Sequence, residues 1–166
     1  MEFMKVAATA RYLGIDHYNQ YYNTPPYPPL WIMLEAVSFG ALSKLYSNLH
    51  LNNQKQVAAE LGFHHEMLAS WFKSLNVLRN MCAHHSRLWN FDMRVNMPRL
   101  PRSGPQPPPH ASSFCARAIV IGELMKNIEP TSNWRRRMKD LILQNPIAQP
   151  GLMGFPTGWD QDPFWN

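Results

Sequence analysis

The sequence predicts an all-helical bundle. Apolar residues recur at the three- and four-residue spacing of a helix in several segments, and no segment shows the strict alternation of a strand. Prolines and glycines separate these segments, as is usual between helices. With 166 residues, of which 45% are apolar, the chain is long enough for a core of its own. We therefore expect a single helical domain over residues 1–166.

Residues 1–29 are interpreted as a lead-in segment that contains a tyrosine-rich helix over 9–22. The prolines of 25–29 end that helix, because proline lacks a backbone donor and restricts the residue before it. Residues 30–49 predict one long helix. Its apolar stripe consists of Leu30, Leu34, Val37, Ala41 and Leu45.

Residues 64–90 predict the most informative helix, which follows a short helix over 54–61 that Gly62 ends. The apolar stripe of this longer helix consists of Leu68, Trp71, Phe72, Leu75, Leu78 and Cys82. On this pattern Cys82 is a small buried hydrophobe.

The second half of the chain begins with a proline-rich loop, residues 97–111, which cannot be helical. A helix over 114–128 follows, and another lies between Pro130 and Asn145. The apolar face of the helix over 114–128 is predicted to consist of Phe114, Ala118, Ile121, Met125 and Ile128. The tail, residues 146–166, is expected to pack on the bundle through its aromatic side chains, Phe155, Trp159, Phe164 and Trp165.

Charge and cysteine content indicate the setting of the protein. The net charge of +5 suits an acidic partner such as a nucleic acid. Two cysteines do not make a disulfide framework, which favours a reducing compartment. No apolar run approaches the ~20 residues of a membrane span. We expect a cytoplasmic protein with no membrane association.

Residues 78–90 hold the densest group of polar side chains, with bases at four positions. At about 100° per residue, Asn80, His84 and Arg87 share one stripe, roughly opposite the apolar stripe. His85 lies beside them. This pattern predicts a polar helix face with an imidazole at its centre.

Arg79 falls inside the predicted apolar face, where a charge needs a partner or an outlet to a cleft. Glu35 has the same anomaly on the first long helix. We hypothesise that Glu35 and Arg79 pair between packed helices and so hold the guanidinium near the site. The alternative is a purely structural ion pair.

These residue types suit RNA cleavage. A ribose 2′-OH can attack the adjacent phosphate if a base removes its proton, and His84 can act as that base or as the acid for the leaving oxygen. Arg79 can fork onto the phosphate oxygens, where negative charge builds up. Asn80 can orient the phosphate or the imidazole. This chemistry requires no metal and no cofactor.

Arg79 and His84, with four residues between them, match the Arg-x4-His signature of HEPN-type ribonucleases, which usually place a polar residue such as Asn80 after the arginine. The wider context is more specific. Residues 29–46 and 78–90 resemble the abortive-infection (Abi) family of that superfamily, as does the tail over 153–165. The resemblance covers roughly residues 10–166, and the chain is expected to lack much of the N-terminal half of longer members.

The resemblance implies an HEPN-like helical bundle that acts as a toxin-like or antiphage endoribonuclease without a metal. Such proteins are typically homodimers, in which two copies of the Arg/His motif line one cleft. RNA is then the substrate, and an antitoxin or a guide or structured RNA is a further candidate partner. Arg79, Asn80 and His84 are the implied catalytic residues, with Glu35, His85, Arg87 supporting them or binding substrate.

Other interpretations remain open. The chain could be an RNA-binding module that lost its chemistry, or a helical partner in a toxin–antitoxin pair. Zinc at the histidines is disfavoured, because the second ligand pair of a structural site is missing. Arg135, Arg136, Arg137 and Lys139 form either a solvated helix face, which is the favoured interpretation, or a set of RNA backbone contacts.

Overall fold

The computed structural model describes residues 12–22, 24–102 and 104–166. Within these residues the secondary structure is entirely helical, which confirms the predicted fold class. The α-helices are α1 (Leu13–Tyr21), α2 (Leu30–Ala36), α3 (Phe39–Asn48), α4 (Leu51–Glu60), α5 (His65–Ala83), α6 (Phe114–Ile128) and α7 (Trp134–Gln144). None of the helices in the described part of the chain is long and apolar enough to cross a membrane.

The chain divides into two compact units, Met1–His50 and Leu51–Asn166. The described part of the first unit contains α1, α2 and α3, with Ile15 and Met33 fully buried. The Tyr18 hydroxyl donates a hydrogen bond to the Pro25 carbonyl at 2.7 Å, which ties the proline segment back onto α1. The single-domain interpretation of the sequence stays a prediction.

The long helix predicted over 30–49 is wrong, because α2 and α3 are separate helices. Val37 between them is extended, and the Ser38 side chain accepts a hydrogen bond from the backbone N–H of Ala41 at 3.2 Å. A serine hydroxyl that caps a helix offers the backbone an alternative to continued helical bonding. The apolar spacing runs through the break and does not reveal it.

The second unit is built around α6. The helix begins and ends where the sequence predicts. Its predicted apolar face is confirmed at Ala118, which is buried, but is wrong at Ile128, which is 59% exposed. Almost every side of α6 is covered, and its buried residues are Cys115, Ala116, Arg117, Ala118, Ile119, Val120, Gly122 and Leu124. A helix apolar on all sides is a central helix.

The aromatic tail completes the core of this unit, as predicted. Its four predicted anchors are buried and pack against residues of α6 and α7, in three short 3₁₀ turns. The rings of Phe155 and Trp159 lie 4.2 Å apart, and those of Trp159 and Trp165 lie 5.6 Å apart at nearly right angles. The tail is therefore an integral part of the fold.

Gly122 is the point at which α6 receives the tail. A Cβ atom at Gly122 would lie 2.6 Å from Cζ of the Phe164 ring, which is itself buried and cannot swing aside. The ring of Phe164 is also covered by the Lys126 ammonium at 4.6 Å from its centroid. Packing of the tail therefore depends on the absence of a side chain at Gly122.

We expect Gly122→Ala to lower the free energy of unfolding by about 1–3 kcal/mol, the usual cost of overpacking a core. Thermal unfolding followed by circular dichroism measures this. Gly151→Ala is the matched control, because no atom lies within 4 Å of the added Cβ. Equal melting temperatures for the two variants would contradict the tight contact between Phe164 and α6.

Candidate active site at the end of α5

The helix α5 ends seven residues earlier than predicted, at Ala83 instead of Asn90. His85 has a φ of 52°, the left-handed conformation. Its N–H donates to the Cys82 carbonyl at 3.1 Å, and the N–H of Ser86 donates to the Met81 carbonyl at 2.8 Å. These two bonds form a left-handed helix cap, which satisfies carbonyls that would otherwise lack partners.

Because α5 ends at Ala83, the polar stripe is shorter than the sequence predicts. Arg87 lies beyond the cap, so its predicted alignment with Asn80 and His84 on one helix face is wrong. Glycine usually supplies the left-handed residue of such a cap, and histidine does so less often. The sequence pattern of polar residues alone therefore gives no sign of the termination.

Arg79, Asn80 and His84 are all exposed at this helix end. The guanidinium Nη1 of Arg79 donates a hydrogen bond to Oδ1 of Asn80 at 3.2 Å. The backbone N–H of His84 donates to the carbonyl of Asn80 at 3.0 Å. Asn80 therefore contacts both other residues, through its side chain on one side and its carbonyl on the other.

The hydrogen bond to Asn80 also sets the direction of the Arg79 side chain. Successive helix positions differ by about 100°, so the backbone alone would aim Arg79 away from the stripe of Asn80. The contact with Oδ1 draws the guanidinium round toward that stripe. A guanidinium and an imidazole are thus both exposed within the last two turns of α5 and its C-cap.

The predicted placement of Arg79 within the apolar face is wrong, because Arg79 is exposed. The buried side of α5 is rotated relative to the prediction and consists of Leu68, Trp71, Ser74 and Leu78. Cys82 is also exposed, so its predicted role as a buried hydrophobe is wrong as well. Cys82 and Ala83, next to the cap, are exposed, and the apolar spacing of the sequence does not predict this.

Glu35 is exposed on α2 and accepts a hydrogen bond from the Tyr12 hydroxyl. This bond to the carboxylate raises the pKa of Tyr12 above its ordinary value. Glu35 belongs to the first unit and Arg79 to the second. The pairing of Glu35 with Arg79 therefore stays a prediction.

The basic side chains of α7 fall into two kinds. Arg135 donates to the Phe164 carbonyl at 2.9 Å, and Lys139 donates to the side chain of Asn166, so both hold the tail. Arg136 and Arg137 are exposed. RNA contacts on this helix stay a prediction, and among the four basic side chains only those of Arg136 and Arg137 have no hydrogen bond to the tail in the described residues.

Arg117 is an important residue that the sequence analysis missed. It is completely buried on α6, and its guanidinium donates to four backbone carbonyls without any carboxylate. Those carbonyls belong to Met93, Val95, Ser112 and Ser113, at distances of 2.8–3.2 Å. A lone arginine among apolar residues of a helix was the signal that could have revealed it.

Arg117 joins residues 93–95 to residues 112–113, within the segment that returns from the candidate site to α6. Burial lowers the pKa of Arg117 to about 10, because the interior disfavours the charged guanidinium. The Met93 N–H also donates to the Ser112 carbonyl at 2.9 Å, so two distant points of this segment are joined directly as well. The chain beyond the cap of α5 is therefore held in place from the core.

Across residues 12–22, 24–102 and 104–166, no three side chains of His, Cys, Asp or Glu are grouped so that they could hold a metal ion. Cys115 lies in the core, and burial raises the pKa of its thiol to about 12, which disfavours the thiolate that binds metals.

The fold and the site together define an all-helical protein that exposes arginine, amide and imidazole groups at one helix end. A family model described as Abi-like protein matches residues 2–90, more than half of the chain. The chain belongs to this Abi-like family. The match includes all of α5 and its cap but ends before the proline-rich loop and the tail. No curated protein and no solved structure matches the chain.

His85→Gly distinguishes the observed cap from a helix that continues to Asn90. A left-handed conformation costs an L-residue roughly 1–2 kcal/mol, so glycine at this position should leave stability unchanged or raise it. In a continuing helix the same change would cost about 1 kcal/mol. Chemical denaturation measures the sign, and Ala83→Gly, within α5, is the control that should destabilise the protein.

Arg117→Lys tests the anchoring of the segment beyond the cap. A lysine keeps the charge but cannot reach four carbonyls, so some buried acceptors lose their donors, at about 1–3 kcal/mol each. We expect a lower melting temperature and faster proteolysis within residues 86–112. Arg94→Lys is the control, since the Arg94 side chain is 84% exposed and should change stability little. Equal melting temperatures for both variants would refute the anchoring role.

Proposed function

We propose that this protein is a metal-independent endoribonuclease of the abortive-infection type, with Arg79, Asn80 and His84 as its catalytic residues. The observation that carries the proposal is their joint exposure at the capped end of α5, with Arg79 bonded to Asn80 at 3.2 Å. Membership of the Abi-like family supports an abortive-infection role. The net charge of +5 suits a polyanionic substrate.

In the proposed reaction the His84 imidazole removes the proton from a ribose 2′-OH. The 2′ oxygen attacks the neighbouring phosphorus, and the bond from phosphorus to the 5′ oxygen breaks. The leaving oxygen takes up a proton, which gives a 2′,3′-cyclic phosphate and a 5′-hydroxyl. The Arg79 guanidinium binds the phosphate oxygens as their charge increases, and Asn80 holds the guanidinium in position.

The reaction needs both a base for the 2′-OH and an acid for the leaving oxygen. We propose that a second copy of the chain supplies the other His84, so that a homodimer forms one cleft from two motifs. His85 and Arg87 are exposed beyond the cap and are proposed to bind substrate phosphates. Glu35 is proposed to position Arg79 in the assembled protein.

The test is incubation of purified protein with labelled RNA in EDTA. We expect cleavage that yields 2′,3′-cyclic phosphate ends, a loss of about 10²–10⁴-fold in rate for His84→Ala, and a comparable loss for Arg79→Lys, which cannot fork onto phosphate. His50→Ala, an exposed histidine outside the site, is the control and should retain full activity. Sedimentation of the same sample should show a dimer.

Cleavage that survives in His84→Ala would assign the activity to other residues or to a contaminant. Absence of cleavage in every sample, with RNA binding retained, would favour the alternative of an inactive RNA-binding module. A monomer that cuts RNA at full rate would disprove the shared cleft but leave Arg79 and His84 as the catalytic pair.

A further inference from the structure

A second polar surface lies on the same helix as the candidate active site. It is an open groove of about 470 Å³ between the start of α4, the first half of α5 and residues 96–99 of the loop that follows the cap. The polar side chains that line it are Gln54, His65, Glu66, Ser70, Lys73, Asn96 and Arg99. All of them belong to the second unit.

One wall of the groove is held rigidly against α5. The N–H of Arg99 donates to the Ser70 hydroxyl at 2.9 Å, and the indole N–H of Trp71 donates to the Arg99 carbonyl at 2.6 Å. Trp71 is fully buried, so it fixes the loop to the core. The groove therefore exists before any ligand enters it, which lowers the entropic cost of binding.

The charge of the groove is positive. Arg99 pairs with Glu66 at 2.5 Å, and the Arg99 guanidinium lowers the pKa of the Glu66 carboxyl, so the two charges cancel. Lys73 is exposed and has no hydrogen bond or ion pair with any residue that the structure describes. Its ammonium is the uncompensated cation on the groove wall, and the carboxylate that could repel a phosphate is already neutralised.

The groove and the candidate active site follow each other along one face of α5. Lys73 and Asn80 are seven residues apart, which places them on the same side of the helix, about 10 Å from each other along its axis. This side is opposite the buried residues Trp71 and Leu78. A polymer bound at the capped end of α5 can therefore continue into the groove.

We propose that this groove binds the phosphate backbone of single-stranded RNA, with Lys73 as the principal contact, and so holds the substrate beside the candidate active site. The inference deepens the proposed function and rests on it for the class of substrate. Lys73 supplies the charge, and the side-chain amide of Asn96, which lines the same groove, offers a contact that does not depend on base identity.

The groove fits this role better than the basic face of α7. Two of the four basic side chains on α7 bind the tail, and only Arg136 and Arg137 remain exposed. Arg137 lies with Leu141 in a depression on α7 that has no wall from another element. The groove on α5, in contrast, has walls from three parts of the chain.

The experiment measures binding separately from cleavage. The probe is a fluorescent 2′-O-methyl oligoribonucleotide of about ten nucleotides, which lacks the attacking hydroxyl and spans a typical single-strand site. Anisotropy is recorded for the whole protein and its Lys73→Ala, Lys73→Arg, Lys44→Ala and Arg136→Ala variants. Each is titrated between about 50 and 200 mM salt. Lys44, an exposed lysine on α3, is the matched control for the loss of one charge.

We expect Lys73→Ala to weaken binding about 3–10-fold and to reduce the slope of log affinity against log salt by roughly 0.7, the value of one released counterion on a single strand. Lys73→Arg should restore both, and Lys44→Ala should change neither. Three results would each overturn the proposal that the groove binds RNA. They are unchanged affinity in Lys73→Ala, a larger loss of affinity in Arg136→Ala than in Lys73→Ala, and no binding by the protein without substitutions.

The result is independent of the catalytic proposal. If no sample cuts RNA but Lys73→Ala still loses affinity and salt dependence, the proposed RNA binding in the groove is correct and the proposed ribonuclease mechanism is wrong. If RNA is cut in a manner that depends on His84 while Lys73→Ala binds and cuts normally, the proposed mechanism is correct and the proposed RNA binding in the groove is wrong.

Discussion

The left-handed cap at His85 is the constraint on which the candidate site depends. It stops α5 immediately after Ala83 and closes the last carbonyls with backbone donors. Because those carbonyls are satisfied within the chain, the side chains of Asn80 and His84 are not needed to cap the helix and can face outward. A helix that continued to Asn90 would have placed Arg87 on the same stripe as these two residues.

The chain that follows the cap is fixed to the core by Arg117. One guanidinium binds carbonyls at both ends of the returning segment, between Met93 and Ser113. Burial of a charge without a carboxylate is costly, and the four carbonyl contacts of the two terminal nitrogens offset much of that cost. The buried Nε–H of Arg117 has no hydrogen-bond partner among the described residues. The core of α6 thereby positions the loop that follows the site, and the aromatic tail covers the other side of the same helix.

Two surfaces of α5 have different proposed roles, one in catalysis and the other in substrate binding. The capped end carries an imidazole and a guanidinium, the groups that proton transfer and charge stabilisation require. The first half carries Lys73 in a groove whose other wall is tied down by Trp71. Placing both on one rigid helix fixes the spacing between the reacting phosphate and its neighbours, which a flexible loop could not do.

The sequence by itself determined the helical class, the bounds of α6, the end of α7 and the packing of the aromatic tail. These follow from the spacing and amount of apolar residues, because burial of apolar surface is strong and periodic. The same sequence also singled out Arg79, Asn80 and His84, since so many polar groups within one short helical segment serve no core. Their catalytic role stays a proposal.

Only the tertiary structure decided the break at Ser38, the end of α5 at Ala83 and the exposure of Cys82. It also decided that Arg117 binds backbone carbonyls in the core. Each depends on one or two hydrogen bonds or on a contact between distant residues, such as Arg117 with Met93. A helical pattern continues unchanged through a cap, because the cap is made by backbone geometry and not by the identity of the apolar residues. For the same reason the groove beside Lys73 appears only when the loop bearing Arg99 lies against α5.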